Sequence, residues 1–248
     1  MANWRALLAA IVLAGFASAP ARAEVDISGQ WSRYPRSGDK TADPRFIPPP
    51  PGNPELKEPY AAAYADLQRR QREASAKGEP LPAAGSDCSP AGMPGLMFAV
   101  YPIEILQAKD RITVIAEADS QVRRIYMGQK LPASDEVAPG YFGYSVGRWE
   151  GDTLVVDTIG IKESVLYRDF PHSERMRITE RLRLVAPGIL HDVLTMEDPE
   201  RLAKPYVLTF AYEKMKGYRI QEYVCENNRS YVDEKGVARM RLDGEAGK

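Results

Sequence analysis

The chain has 248 residues, and its 33 Lys and Arg against 34 Asp and Glu give a formal net charge of −1. This near balance argues against a nucleic-acid or anionic-membrane partner, because both favour a basic excess. Two histidines and two cysteines, widely scattered, do not make a structural zinc site. No glycine-rich phosphate loop, dinucleotide fingerprint or haem cysteine pair occurs, so we expect no metal and no cofactor.

Residues 1–23 have the pattern of a secretory signal peptide. Arg5 lies in a short polar lead, residues 6–17 are apolar, and small residues at positions 21 and 23 flank Arg22 before the expected cleavage point. An uncleaved anchor would need about 20 apolar residues, more than this segment offers. We therefore expect a periplasmic or secreted protein whose mature part has no membrane span.

Both cysteines, Cys88 and Cys225, lie in the expected mature part. In an oxidising compartment an even pair most simply forms one disulfide. The bond would close a loop of about 137 residues and, if unstrained, contribute about 4 to 5 kcal/mol on the chain-entropy model. The alternative is two free thiols, one of them reactive.

Residues 24–85 are expected to form a proline-rich arm and one helix. Residues 31–58 are rich in Pro, Gly and charge, and the four prolines at 48–51 impose an extended polyproline II course without ladder donors. This predicts a stiff arm and excludes a central strand. From Pro59 to Ala76 the side chains of Tyr60, Tyr64 and Leu67 recur at helical spacing, which predicts an amphipathic helix that docks on the main domain.

Residues 86–248 are expected to form an antiparallel β-barrel domain. Tight turns join the predicted strands and no helical crossover separates them, which indicates a meander. A long open sheet exposes its edges to aggregation, so it closes into a barrel or folds into a sandwich. We favour an up-and-down barrel of the lipocalin type, which holds one small ligand. The predicted strands are 101–107, 111–116, 121–127, 144–149, 153–160, 177–185, 189–197, 206–214 and 218–225.

The clearest local structure is a hairpin around Gly151-Asp152. This pair suits a two-residue type II′ turn with glycine at its first central position, and alternating runs flank it on both sides. The predicted register places three cross-strand pairs on one side of the ribbon: Trp149 with Leu154, Gly147 with Val156, and Ser145 with Thr158.

Glu180 is the carboxylate of greatest interest because it shares the apolar face of its strand with Ile178 and Leu182. Such an acid has its pKa raised by desolvation, or a buried partner holds it ionised. Arg124, on the same face as Tyr126, is the expected partner. The pair is either structural or part of a ligand-binding or catalytic site.

His172 is the first candidate for acid–base chemistry. It lies in a predicted loop, and histidine is the side chain whose ordinary pKa is closest to neutrality. A local structural role is the alternative. Residues 143–147 also fit the G-x-S-x-G nucleophile elbow of hydrolases around Ser145, but the elbow needs a strand-to-helix turn and the pattern here predicts a hairpin. Glycines that relieve a crowded strand are the simpler explanation.

An aromatic row is predicted on the strand 206–214, where Tyr206, Leu208, Phe210 and Tyr212 share a face. Inward aromatic rows form core or line a pocket, and their hydroxyls orient a mostly apolar ligand. On the last predicted strand, Glu222 shares a face with apolar residues. The expected ligand-binding residues are Arg124, Tyr126, Trp149, Tyr212 and Glu222, with Glu180 in the same pocket.

The chain resembles a group of secreted bacterial proteins that share a G-x-S-x-G-x-W-E-G-D-T-L-V-V-D-T signature. Residues 143–158 match it at every fixed position, and the resemblance covers about residues 88–228. It implies a family but no reaction, since none is established for the group. The chain departs from the group at 128–130, where relatives often have Asp-Gly-Arg, and at 226–228, where relatives have His-Glu-Gly-Asn. If that missing histidine is functional, the activity is lost or altered here.

Three functions follow from these patterns. The leading hypothesis is a secreted barrel that binds a small, largely apolar or aromatic molecule. The second is a cofactor-independent isomerase or lyase that uses His172 and Glu180 as proton carriers, since two titratable groups in different environments can divide acid and base roles. The third is a serine hydrolase at Ser145. A purely structural role in the envelope is a further alternative, and neither the ligand nor the oligomeric state follows from the sequence.

Overall fold

The computed structural model describes residues 25–82, 88–223, 225 and 230–240. The expected signal peptide, residues 1–23, lies outside them. The helices are α1 (Tyr60–Ala76) and the short α2 (Gly92–Gly95), with 3-10 turns at Pro44–Phe46, Leu96–Phe98, Ala118–Ser120 and Ser134–Glu136. The strands are β1 (Gly29–Arg33), β2 (Ile103–Gln107), β3 (Arg111–Ala116), β4 (Gln121–Met127), β5 (Tyr144–Glu150), β6 (Thr153–Ile159), β7 (Arg177–Ala186), β8 (Ile189–Glu197), β9 (Tyr206–Lys214), β10 (Ser230–Val232) and β11 (Ala238–Met240).

Strands β1 to β9 form a closed barrel in chain order, which confirms the predicted mainly-β, up-and-down architecture. Every neighbouring pair is antiparallel except β4 and β5, which run parallel with Ile125 opposite Ser145. Strand direction cannot alternate around a closed ring of nine strands, because nine is odd. One parallel pair is therefore required, and the connection at 128–143 supplies it.

The strand that closes the barrel is not the one the sequence pattern indicates. Eight of the nine predicted strands form close to their predicted bounds, but β1 takes the ninth place by pairing with both β2 and β9. Residues 31–33, assigned above to the proline-rich arm, thus belong to a barrel strand. The expected division at residue 85 separates β1 from the strands it pairs with.

The predicted strand at 218–225 is wrong for its described residues, 218–223 and 225, which are not in a strand. Side-chain contacts take the place of a ladder there. The Tyr218 hydroxyl and the Gln221 backbone N–H both donate to the carboxylate of Glu117, at 2.5 and 3.0 Å. The segment is therefore attached to the barrel without entering it.

The hairpin of β5 and β6 has the predicted register, with Trp149 opposite Leu154, Gly147 opposite Val156 and Ser145 opposite Thr158. Gly151 has a φ of +67° and Asp152 has no positive φ, as a type II′ turn requires. Gly147 faces inward, where β5 lies very close to β4. A Cβ at this position would lie 2.7 Å from the Met127 sulfur.

The barrel is filled by buried apolar side chains from the inward faces of its strands. Each fully buried aliphatic or aromatic side chain contributes about 1.5 to 3 kcal/mol relative to exposure, so this interior supplies much of the driving force for folding. Its members include Trp31, Ile103, Ile105, Ile112, Ile125, Leu154, Val156, Ile178, Leu182, Leu194, Met196 and Tyr212.

The proline-rich segment and α1 pack on the outside of the barrel. The Tyr206 hydroxyl donates to the Gly52 carbonyl at 2.7 Å, and the backbone N–H of Lys57 donates to the Arg201 carbonyl at 2.8 Å. Helix α1 forms where predicted, and its buried Tyr64 donates through its hydroxyl to the Arg168 carbonyl at 3.0 Å. The aromatic stripe of the helix is thus a docking face.

Cys88 and Cys225 form the predicted disulfide, with their Cα atoms 5.6 Å apart. The bond ties the loop before α2 to the segment that follows β9. No helix within the described ranges is long and apolar enough to cross a membrane.

Candidate functional site

A buried ion pair lies in the middle of the barrel, and its cation is Arg123. One Nη of Arg123 donates to Glu180 Oε1 at 2.8 Å and the other to Glu180 Oε2, so the contact is bidentate. Both side chains have no exposed surface. A bidentate guanidinium–carboxylate contact is among the strongest charge-assisted hydrogen-bond arrangements.

The predicted partner, Arg124, is therefore wrong by one residue. In β4 the side chains of Gln121, Arg123 and Ile125 are buried, whereas Arg124 is exposed. Apolar residues occur on both faces of this strand. Tyr126, for example, lies outside the barrel, where its ring stacks on that of Tyr144 with centroids 5.2 Å apart. The alternation alone therefore did not identify the inward face.

Two hydroxyls from the signature hairpin complete the contacts of Arg123. Its guanidinium donates to Ser145 Oγ at 3.2 Å and to Thr158 Oγ1 at 3.1 Å, and the two hydroxyl oxygens are 2.8 Å apart. Ser145 lies inside β5, which leads through a tight turn into β6. The strand-turn-helix of a nucleophile elbow is not formed there, and the Ser145 hydroxyl supports the ion pair.

Asp192 is a third ionisable group in this cluster, on the inward face of β8 and without exposed surface. Burial raises its pKa well above the ordinary value, the Glu180 carboxylate raises it further, and Arg123 opposes the shift. Neither Asp192 oxygen accepts a hydrogen bond from a donor in the described residues. The raised pKa favours a neutral Asp192, so the cluster is a cation, an anion and a neutral acid.

The sequence signal that singled out Glu180 also existed for Asp192. Asp192 alternates with Leu190 and Leu194 along β8, just as Glu180 alternates with Ile178 and Leu182 along β7. A lone acid on the apolar face of each of two adjacent strands predicts a shared buried site. The sequence analysis did not single out Asp192. The ring of the adjacent His191 lies outside the barrel against the Phe46 carbonyl.

His172 is buried in the loop that precedes β7. Its Nδ1 lies 2.9 Å from the Ser173 carbonyl oxygen and its Nε2 lies 2.6 Å from the Val165 carbonyl oxygen. Within the described part of the chain no hydrogen bond joins it to Glu180. Both ring nitrogens therefore face backbone acceptors, and a role as a proton carrier stays a prediction.

Asp198 holds the loop around His172 in place. Its carboxylate accepts the Ser173 backbone N–H at 2.6 Å and the Ser173 hydroxyl at 2.9 Å, and the backbone N–H groups of Glu200 and Arg201 also donate to it. Burial would raise the pKa of Asp198, but these donors outweigh it and lower the pKa. The hydrogen bonds that Asp198 accepts thus fix the conformation of this loop.

The expected ligand-binding residues do not meet in one pocket. Tyr212 is inside the barrel, where its hydroxyl donates to the Met97 carbonyl at 2.5 Å, and Trp149 packs partly buried against the core. Tyr126 lies outside the barrel, and Glu222 is exposed in the irregular segment after β9. The predicted set combined residues from different faces of the barrel. The predicted strand 218–225 does not form in its described residues, and the inward face of β4 is the opposite of the predicted one.

A cleft of about 320 Å³ opens where β1 separates from β9. The last contact between the two strands is the Tyr34 backbone N–H to the Ala211 carbonyl at 2.7 Å, beyond Arg33 opposite Tyr212. Residues 206–210 continue β9 without a β1 partner, and the prolines at 48–51 face this free edge. The cleft is lined by Arg33, Tyr34, Pro35, Ile47, Pro48, Pro49, Pro50, Pro51, Phe98, Tyr167, Leu208, Thr209, Phe210 and Ala211.

Proline explains why this gap exists. A proline has no backbone N–H, so the segment at 48–51 cannot complete a β-ladder with the free edge of β9. The segment covers the edge, which protects it from pairing with another chain, but it leaves a space between the two. The result is a groove with rigid, apolar walls.

Three aromatic rings form one wall of the cleft. Phe98, Tyr167 and Phe210 contact each other edge to face, with centroids 5.8 to 6.1 Å apart. The guanidinium carbon of Arg33 lies 4.1 Å from the Phe98 centroid, in a cation–π arrangement. Burial raises the pKa of Tyr167, although the charges of Arg168 and Arg33 oppose it, so its hydroxyl is a neutral donor.

No local sequence pattern points to this cleft. Its residues come from β1, the proline segment, the turn after α2, the loop before β7 and β9. The aromatic row of β9 was recognised, and Leu208 and Phe210 from that row do line the cleft. Arg33, Phe98 and Tyr167 were missed because they lie far apart in the chain and carry no motif.

No protein-family model and no curated protein matches the chain. The described residues also contain no group of three or more His, Cys, Asp or Glu side chains that could hold a metal ion. The resemblance to the secreted bacterial group therefore stays a prediction, and the geometry of the cleft carries the functional argument.

Proposed function

We propose that the chain is a secreted or periplasmic β-barrel protein that binds a small, largely apolar molecule in the cleft beside β9. The observation that carries this proposal is the cleft itself. Its volume of about 320 Å³ is within the range of small-molecule sites, and its walls are aromatic, aliphatic and proline side chains with few polar groups. The predicted signal peptide and the disulfide support an oxidising location outside the cytoplasm.

The walls of the cleft favour binding because they are rigid before the ligand arrives. The four consecutive prolines have fixed φ angles, and the Tyr206 hydroxyl anchors their end at the Gly52 carbonyl. A preformed site avoids much of the entropy cost of ordering loops around a ligand. The apolar surface of a ligand therefore contributes more of its burial energy to affinity.

The backbone next to two of the aromatic rings is strained. Ala99, directly after Phe98, has a φ of +48°, and Arg168 and Asp169, directly after Tyr167, have φ angles of +54° and +57°. Left-handed conformations at residues other than glycine cost of order 1 to 3 kcal/mol each and cluster at ligand sites. The fold thus holds Phe98 and Tyr167 in position at a cost to stability.

The binding place differs from the one the barrel topology suggests. Lipocalin-type barrels hold their ligand inside, but here Arg123, Glu180 and Asp192 lie in the middle of the barrel among buried apolar side chains. A ligand inside would have to displace this cluster and leave its charges unpaired, at high cost. The outer cleft needs no such rearrangement.

The test compares two tryptophan substitutions on the outward face of β9. Thr209 lines the cleft, whereas Val207 is half exposed and does not line it. We expect the neutral fluorescent probe N-phenyl-1-naphthylamine to bind the wild type and Val207→Trp, and to lose binding in Thr209→Trp because the indole fills the cleft. Circular dichroism checks that both variants are folded. Equal binding by the two variants, or none by the folded wild type, contradicts the proposal.

A further inference from the structure

We infer that the molecule bound in the cleft is a monocarboxylate, with its carboxylate held by the Arg33 guanidinium and the Tyr167 hydroxyl and its apolar body against Phe98 and Phe210. This inference rests on the proposed function and names the ligand class. Four observations carry it: the charge of the cleft, the free donors, the stacking of Arg33, and the size of the space.

The cleft has one ionised side chain among its lining residues, and that side chain is a cation. Arg33 is the cation, and no aspartate or glutamate lines the space. A positive charge beside an apolar wall attracts an anion. A neutral hydrocarbon would leave this charge without a counter-ion.

Arg33 lacks a carboxylate partner within the described ranges, unlike its neighbours on the barrel surface. Arg36, three residues away, pairs with Glu213, and Arg181 and Arg183 pair with Glu150 and Asp152. Arg33 is itself exposed, so its guanidinium is available to a ligand. The Tyr167 hydroxyl likewise has no hydrogen-bond partner in the described part of the chain.

Stacking orients the donors of Arg33. With its guanidinium carbon 4.1 Å from the Phe98 centroid, the planar group lies over the ring and its N–H groups point outward in the plane. A planar fork of this kind matches the two oxygens of a carboxylate. Tyr167 contacts the same ring, with its centroid 6.1 Å from that of Phe98, so both donors lie beside Phe98.

The number of donors favours a monoanion over a phosphate. One guanidinium and one neutral hydroxyl compensate a single negative charge, whereas a dianion would place an unpaired charge against aromatic and proline walls. A volume of about 320 Å³ lies at the small end of ligand sites, which range from about 300 to 1,000 Å³. The expected ligand is thus an aromatic or medium-chain aliphatic monocarboxylate.

The test measures two isosteric probes, 2-naphthoate and 2-naphthamide, by isothermal titration calorimetry on the mature, disulfide-bonded protein at pH 7. The probes share the same ring and differ in charge. We expect the carboxylate to bind the wild type about tenfold more tightly than the amide, the size of a charge-assisted hydrogen bond. Arg33→Gln should bring the ratio close to one, and Tyr167→Phe should reduce it in part.

Arg36→Gln is the matched control, because Arg36 is exposed on the same segment and does not line this cleft. It should keep the wild-type ratio, and circular dichroism establishes that each variant is folded. If the wild type binds both probes equally, or if Arg33→Gln keeps the ratio, the carboxylate inference is overturned while the binding function stands. If the folded wild type binds neither probe, both are overturned.

Discussion

Arg123, Glu180 and Asp192 form the most unusual group of side chains in the described structure, because three ionisable groups share one site without exposed surface. The hydroxyls of Ser145 and Thr158 complete the contacts of the guanidinium. These two residues belong to the G-x-S-x-G…T signature, so in this chain the signature supports a buried ion pair. A buried pair of this kind specifies one packing arrangement of the barrel at a cost in desolvation.

Asp192 should make the protein less stable as pH rises. Its pKa is raised in the folded state, so above the unfolded value of about 3.9 the folded state binds one more proton than the unfolded state. The free energy of unfolding then falls by up to about 1.4 kcal/mol per pH unit, from about pH 4 up to the folded pKa. Asp192→Asn should remove this slope in urea unfolding measured across a pH series.

Asp157→Asn provides a control of opposite sign. Burial opposes the shift, but hydrogen bonds from Arg177, Arg148 and Thr179 lower the pKa of Asp157 in the folded state. Its contribution to stability is therefore present above the unfolded pKa and is lost as pH falls. A slope in Asp192→Asn equal to that of the wild type would show that Asp192 is ionised in the folded protein.

Arg123→Met should destabilise the protein by about 3 to 5 kcal/mol, because it leaves the Glu180 charge buried without its partner. Arg124→Met is the matched control one residue along β4. Arg124 is exposed, and the loss of an exposed charge changes stability by less than about 1 kcal/mol. Urea unfolding at neutral pH measures both. Similar effects from the two substitutions would contradict the inward placement of Arg123.

At the scale of elements, the hairpin of β5 and β6 meets β4 so closely that a Cβ at position 147 would crowd the Met127 and Ile125 side chains. The hairpin is also where local sequence patterns were most informative, since two alternating runs around Gly151-Asp152 gave the register residue by residue. The parallel contact between β4 and β5 was not predictable in the same way. Closure of an odd number of strands requires one parallel pair, but no local pattern in the sequence marks which pair it is.

Gly147→Ala should cost about 1 to 3 kcal/mol, as overpacking of a core does. The added Cβ would lie 2.7 Å from the Met127 sulfur and 2.9 Å from Ile125 Cγ2. Gly140→Ala serves as the control, because no atom lies within 4 Å of a Cβ there. Thermal unfolding of the two variants measures the difference. Equal melting temperatures would place β5 farther from β4 than the structure has it.

At the scale of the whole molecule, short-range patterns predicted the barrel class, helix α1, the hairpin and the disulfide, because each has a signal of period, turn chemistry or cysteine pairing. Patterns failed where a contact joins distant segments. β1 has five residues in a region of Pro, Gly and charge, so its pairing with β9 left no local trace. The cleft depends on that pairing, since it opens where β1 ends, and its residues therefore could not be assembled from the sequence.

The measurement that tests the account most directly is native mass spectrometry of the mature protein purified from the periplasm, compared with the same sample after denaturation. We expect an extra mass on the wild type and on Val207→Trp that denaturation releases. Thr209→Trp should carry none, because the added indole occupies the cleft. An extra mass retained by folded Thr209→Trp would place the ligand elsewhere, and a wild type without any extra mass would contradict a ligand held through purification.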